Sequence, residues 1–341
     1  MSEPPRRHDE EQALPTALSA AEADVRAGGQ GRRIHRPGSG GAGVGAGSTH
    51  LAVSGRSGWA LPRGLAPRRW TLGFVATGAP MTKGPHLVAC QDRGMPEQES
   101  YAVAVAMAKV LGGVAESAPS GWSMSRGDLR AAVTAVPVAP LNAVRILGPD
   151  TSLAQARSTF DRVAEAGYPY CVQTREACGE RIAADLGLAV AEQAPLMVLG
   201  DFSPARAGDL QIRPLRTGTL AEHNRLLEEA FEAPAGMFSN LDGPPASRDS
   251  TTAYMGSVDG VTVTTGLGIR QDNYLAVLNI GTLAPFRRRG YGAAMTSRIV
   301  TDALADGAQT VMLQSSELGL ATYERLGFRT VEMWKTWIVP D

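Results

Sequence analysis

Residues 284–295, APFRRRGYGAAM, pin the course of the chain most tightly. Here an apolar strand pattern, NYLAVLNIGTL, hands over to a helical one, YGAAMTSRIVTDALADG, through Gly290 and Gly292. At such a handover the amides of the turn and of the first helical turn point outward with no intrahelical acceptor, and the helix dipole adds about half a positive charge. The site is built for an anion. Glycine lets a phosphate come within reach of those amides, and Arg287, Arg288 and Arg289 supply charge-assisted contacts around it. The stretch contains no GK[ST], which excludes a Walker loop, and lacks the third glycine of the dinucleotide fingerprint after Gly292. Taken alone, the same pattern also fits a tight turn beneath an exposed basic rim.

The surrounding elements narrow the fold. DLQIRPLRTG reads as a strand, and TLAEHNRLLEEAFEAP as a helix whose Thr219 and Glu222 have capping-box spacing. TTAYMGSV and VTVTTGLGIR are β-rich runs joined by Asp259-Gly260, a strong hairpin signal. The third strand and the arginine loop follow, then TVMLQSS as a strand, LGLATYERLG as a helix and FRTVEMWKTWIV as a closing strand. Strands and helices alternate in an order that predicts an α/β or α+β unit.

The stretch LNIGTLAPFRRRGYGAAM, with SSELGLATYERLGFRTVEMW further along, resembles the two signatures of the GCN5-related N-acetyltransferase superfamily: R-x-x-G-x-G/A at a helix start, then a tyrosine-bearing helix followed by Leu-Gly-Phe. The resemblance covers residues 209–341. It implies an α/β (α+β) fold, with a mixed central sheet whose splayed strand pair is flanked by helices, and an acetyltransferase domain over residues 208–341. It further implies acetyl-CoA as cosubstrate, no metal, and a small-molecule or peptide amine as acceptor. Carried over position by position, Arg287, Gly290 and Gly292 match the motif, and the amides of Arg288, Arg289, Gly290, Tyr291, Gly292 and Ala293 would hold the pyrophosphate. Ile280, Gly281 and Thr282 stand where the family pairs a strand with the pantetheine arm. Tyr323 matches the tyrosine that protonates the departing thiolate, and Ser316 stands where many members carry a CoA-contacting asparagine. Ala284 replaces a frequent proline, with Pro285 displaced by one.

The general base does not emerge from this pattern. Glu317, Asp272 and Glu232 are the nearest carboxylates, His223 reads as an exposed helix residue, and Met237 and Phe238 either line the acceptor site or plug the core. A catalytically silent CoA-binding sensor or scaffold is the alternative to an enzyme.

Upstream, EQESYAVAVAMAKVLGG reads as a helix stopped by Gly112 and Gly113, DLRAAVTAVPVAPLNAVRIL as strand material broken at Pro137 and Pro140, and SLAQARSTFDRVAEAG as an amphipathic helix. YPYCVQTREACGERIAADLGLAVAEQAPLMVL then echoes the strand–helix–strand ending of the chain, without any R-x-x-G-x-G and without the tyrosine. Residues 81–207 therefore read either as a degenerate second unit of the same kind, in a tandem arrangement, or as an unrelated accessory α/β domain.

Residues 1–80 differ from the rest. They are rich in Gly, Ala and Pro, without sustained apolar periodicity, and read as a disordered extension. Within them GSGGAG (Gly38, Gly40, Gly43) has the dinucleotide spacing but neither the strand before it nor the helix after it. The formal net charge is -1, yet residues 25–80 hold eight arginines and no acid. Nucleic acid is nonetheless not expected as a partner, because the segment has little aromatic content. Cys90, Cys171 and Cys178 are too few and too irregular for a disulfide framework or a zinc site, and none falls in the expected catalytic half. With no secretory pattern and no run of apolar residues long enough to span a membrane, the expected location is the cytoplasm and no membrane partner is expected. A homodimer stays open.

Overall fold

The computed structural model describes residues 95–215, 219–244 and 250–340. The extension read as disordered over residues 1–80, with its arginines and its Gly38-Gly40-Gly43 stretch, lies outside them. A long helix, α1 (Glu97–Ser117), comes first. Then follow β1 (Trp122–Arg126), β2 (Leu129–Val133), β3 (Asn142–Ile146), α2 (Leu153–Ala164), β4 (Cys171–Thr174), α3 (Ala177–Asp185) and β5 (Ala189–Leu199). After β6 (Gln211–Pro214) and α4 (Ala221–Ala230) the same order returns: β7 (Thr251–Val258), β8 (Val261–Gln271), β9 (Tyr274–Thr282), α5 (Tyr291–Ala305), β10 (Thr310–Gln314), α6 (Glu317–Arg325) and β11 (Phe328–Ile338).

All the strands join one mixed 11-stranded sheet in the order β1-β2-β3-β4-β11-β5-β10-β9-β8-β7-β6. Antiparallel strands (β1–β3 in the first half, β6–β9 in the second), a parallel crossover and a final strand make each half, but the final strands are exchanged: β11 lies between β4 and β5, and β5 between β11 and β10. The β5–β11 ladder runs antiparallel from Phe328 opposite Leu199 to Ile338 opposite Ala189. This is a tandem architecture in which each half completes the other's sheet. Residues 207 and 208, expected to divide two domains, lie between β5 and β6, and the sheet continues across them.

Alternation along the strands sorts their side chains between two faces. Leu196, Val198, Ala276, Met312 and Trp334 pack under α1, while Met197, Leu275, Val277, Val311 and Leu313 pack under α5 and α6. On the first face α4 buries Leu226, Leu227 and Ala230 against Met255, Leu283 and the loop carrying Val136 and Val138. On the second, α2 and α3 cover Val144, Ile146 and Val172. Among the described residues no helix is long and apolar enough to cross a membrane.

Most elements lie where the sequence pattern predicts them. Asp259 and Gly260 both take positive φ, 49° and 79°, as a two-residue hairpin turn requires. Three expectations need correction. Helix α1 does not stop at Gly112 and Gly113 but runs through both to Ser117, since the bare Cα of Gly112 lets β1 approach: a Cβ there would lie 3.3 Å from the Ser123 side chain. The capping box at Thr219 and Glu222 does not form. Helix α4 begins at Ala221 with no side-chain cap, and Glu222 pairs instead with Arg213 at 3.3 Å. Strand β1, whose residues WSMSR are half polar, has no counterpart in the sequence reading.

One ionic cluster fastens α1 to both halves. The Arg175 guanidinium, with a side chain 2 % exposed, donates to Glu332, to Glu97 Oε1 (2.7 Å), to the Leu147 carbonyl (3.0 Å) and to Glu176. Glu332 is itself buried on β11 and accepts from Trp334 Nε1 at 2.9 Å. Removing one partner of a buried pair strands the other charge in low dielectric. Arg175→Met is therefore expected to destabilise the fold by about 3–5 kcal/mol in denaturant unfolding, whereas Glu97→Gln, on the exposed side of the cluster, should cost less than about 1 kcal/mol.

Candidate active site

Strands β9 and β10 part company halfway. Their parallel pairing covers only Tyr274–Ala276 opposite Thr310–Met312, although β9 continues to Thr282 and β10 to Gln314. The cause is a bulge. Leu278 pairs with Leu267 and Gly281 with Thr265, so Asn279 and Ile280 together face Gly266, and Asn279 takes φ 55°. Gly266 is a steric requirement of this bend, because a Cβ would sit 2.7 Å from Ile280 Cδ1 and 2.9 Å from Met295 Cγ. The bend leaves the β10 side of residues 278–282 without a strand partner and opens a cleft. Val277–Ile280 form one side of it, Gln314, Ser316 and Tyr323 the other, and Met107 and Leu111 of α1 reach it from the opposite face of the sheet.

The arginine loop closes one end of β9. Arg288 and Gly290 take φ 66° and 83°, and Gly290 is the N-cap of α5 with no side chain to cap it. The first intrahelical bond is donated by Ala294 to the Gly290 carbonyl (3.0 Å), so the amides of Tyr291, Gly292 and Ala293 are left without an intrahelical acceptor. The corresponding helix of the first half shows the contrast. At α2, Ser152 accepts from the Gln155 amide and the Gln155 side chain from the Ser152 amide (2.8 Å), a capping box that satisfies the N3 amide, the one that at α5 belongs to Ala293. In that half β3 and β4 stay paired to their ends, Ile146 and Thr174.

The side chains of the loop divide their work. Arg287 turns away from the helix end: Nη2 donates to the Ala230 carbonyl (2.6 Å), Nε to the Thr282 carbonyl (3.2 Å), and Nη1 faces Glu232 at 3.4 Å. It locks the loop to α4. Arg289 lies over the Phe286 ring, 5.3 Å from its centroid, while Arg288 is exposed and held by none of the described residues. Tyr291 is buried and donates to Asp209 Oδ2 at 2.5 Å, a bond that raises its phenol pKa and leaves only its backbone facing the helix end. Gly281 packs beneath α4, where a Cβ would meet Ala230 Cβ at 3.0 Å. At Gly292 a Cβ would meet nothing closer than Ile280 Cγ2 at 3.6 Å. The protein's own packing therefore does not demand that glycine, since a Cβ there would make only ordinary contacts.

Tyr323 sits at the cleft with its ring edge-to-face on Phe328, 5.9 Å between centroids, and burial pushes its phenol up to about 12. Among the described residues its hydroxyl has no hydrogen-bond partner. Ser316 caps α6 by accepting from the Gly319 amide at 2.8 Å, and its hydroxyl borders the same cleft. Thr282 contacts Thr264 through the two hydroxyls at 3.0 Å, and Ala293 packs into the core beneath α5. Sequence reasoning missed Gln314, whose amide nitrogen is buried at the cleft without a partner. A polar residue ending the apolar run TVML was the available signal. Met107 and Leu111 carried none, because they read as ordinary core positions on a helix.

The candidate bases are not brought together. Asp272 lies in the β8–β9 turn beside Lys109 (3.6 Å), Glu232 beside Arg287, and Glu317 is exposed at the start of α6. Met237 and Phe238 pack against the α4 core, with the Glu228 carboxylate accepting from the Phe238 amide at 2.8 Å. His223, read as exposed, is fully buried. Its Nδ1 is 2.7 Å from Thr265 Oγ1, which already donates to the Tyr254 carbonyl. The imidazole must then donate through Nδ1, leaving Nε2 as a bare acceptor with no partner among the described residues, and burial holds its pKa down at about 4. Among the described residues no group of three His, Cys, Asp or Glu side chains could hold a metal ion.

No family model matches the sequence, and no curated protein matches it. Solved structures do. A GCN5-related N-acetyltransferase from Kribbella flavida aligns with a TM-score of 0.53 and 19% identity, over 69% of this chain and 94% of that one. A tandem GNAT protein from the clavulanic acid biosynthesis pathway aligns at 0.43 and 13% (71% and 95% covered), and a GCN5-related N-acetyltransferase from Sphaerobacter thermophilus at 0.43 and 15% (70% and 92%). The alignment to the Kribbella flavida structure establishes the fold: this chain is folded as a GCN5-related N-acetyltransferase.

The buried imidazole makes stability depend on acid. With a folded pKa near 4 against an ordinary value of 6.5, His223 contributes its full share above pH 6.5 and loses it as pH falls to about 4. Acidification over that window is expected to cost up to about 3 kcal/mol more in the native protein than in His223→Phe, as read by denaturant unfolding at each pH.

Proposed function

We propose that the chain is an acetyl-CoA-dependent N-acetyltransferase that acts on a primary amine. One arrangement carries this reading: along a single strand, β9, an uncapped helix start whose Gly292 the protein's own packing does not require lies at one end, and a cleft bordered by an unpartnered phenol opens beside the bulge. The α5 amides suit a pyrophosphate, with Arg288 free to add charge. The unpaired edge of residues 278–282 suits the amide-bearing pantetheine arm, as an extra strand would.

In the reaction, the amine nitrogen attacks the thioester carbonyl, the new C–N bond forms and the C–S bond breaks. Tyr323 gives its proton to the leaving thiolate, and its raised pKa keeps that proton in place at neutral pH. Unpaired β9 amides at the bulge and the Gln314 amide are the donors available to the developing oxyanion. No carboxylate borders the cleft among the described residues, so the proton lost by the amine passes to solvent.

Calorimetric titration of acetyl-CoA into the full chain tests the first half of this reading. Gly292→Leu is expected to weaken binding at least about tenfold while changing stability by less than about 1 kcal/mol, because the space it fills belongs to the ligand. Binding that survives unchanged would rule out the α5 start as the anion site. Tyr323→Phe should leave binding intact and lower kcat about 100-fold in an amine-acetylation assay, and the wild-type rate should show no alkaline fall-off below pH 10. Binding without turnover on any amine would favour a silent CoA-binding scaffold.

A further inference from the structure

We propose that helix α1, contributed by the half whose β3 and β4 stay paired, measures the acyl group. Met107 and Leu111 form the end wall of the β9–β10 cleft and restrict it to short acyl chains. The two residues lie four apart, hence on one face of α1. They pack with Ala276 and Met312, whereas Tyr323 packs with Val277 and Leu313, whose side chains leave the sheet on the other side. A group entering past Tyr323 and running between the parted strands meets the Met107 thioether and the Leu111 isobutyl group last.

The wall is rigid. Met107 is 0 % and Leu111 5 % exposed, and α1 is tied down along its length: Glu97 to Arg175 (2.7 Å), Tyr101 to Asp128 (2.5 Å) and Glu116 to Ser123 (2.6 Å). The α1 wall is also purely apolar. An incoming amine, protonated in water at neutral pH, finds no acceptor there, whereas the hydrocarbon end of an acyl group is the part of the substrate such a wall suits. A packed apolar pocket that fits one chain length rejects each added methylene by about tenfold or more.

Because this rests on the acyl-CoA reading, the experiment separates the two. The full-length wild type is titrated calorimetrically with CoA, acetyl-CoA, butyryl-CoA and hexanoyl-CoA, and the series is repeated with Leu111→Ala and Met107→Ala, each checked for folding by thermal melting. Affinity is expected to fall about 100-fold or more from acetyl- to butyryl-CoA and further at hexanoyl-CoA, and the alanine variants to bring butyryl-CoA within about threefold of acetyl-CoA. If Met107→Ala fails to fold, the wild-type series and Leu111→Ala decide. Tight acetyl-CoA binding with a flat chain-length series overturns the ruler and leaves the acyl-CoA site standing. No binding of any CoA species overturns both.

Discussion

The antiparallel pairing of β5 with β11 holds the molecule together. Because β11 inserts between β4 and β5, and β5 between β11 and β10, the last two strands of each half are bridged by a strand of the other. Neither half has a closed sheet alone, and Leu196, Met197 and Trp334, all but fully buried, lie on this shared ladder. Helix α1 then covers the same seam, and Arg175 joins α1 to β11 through Glu97 and Glu332. An ion pair as buried as that of Arg175 and Glu332 adds little net stability over an apolar replacement of both, whereas removing one partner alone leaves a buried charge uncompensated.

From that seam the asymmetry of the halves follows physically. In the first half β3 and β4 pair to their ends and Ser152 closes the helix start that follows. In the second, the Asn279 bulge turns β9 away from β10 and Gly290 leaves α5 uncapped. Two near-copies of one topology thus reach different ends. One caps the helix after its third strand, while the other leaves that helix start uncapped, with two non-glycine residues in left-handed conformations nearby, Asn279 and Arg288. The first half then supplies α1 to the second.

Much of this was legible. The Asp259-Gly260 turn, the 3.6-residue pattern of α2 and the Gly290-Tyr291-Gly292 handover are local features, and local geometry is what neighbouring residues dictate. The misreadings share a different origin. Gly112 and Gly113 read as a stop because glycine weakens an isolated helix, but packing of α1 against β1 outweighs that preference. The α4 carbonyl that Arg287 reaches is likewise distant in sequence and carried no local signal. His223 read as exposed amid polar neighbours, and only the placement of β8 shows that the helix face carrying it is buried.

By itself, then, the sequence determined the order of most strands and helices, the backbone turns that need glycine, and the glycine handover from strand to helix followed by a tyrosine-bearing helix. Those depend on residues within a few positions of one another. The exchange of β5 and β11, the parting of β9 from β10, and the arrival of Met107, Leu111 and Gln314 at one cleft were decided only by tertiary structure. Each joins segments far apart in the chain, and a hydrophobic residue carries no mark of which remote surface it will meet, since burial is non-directional and only the packed fold selects its partners.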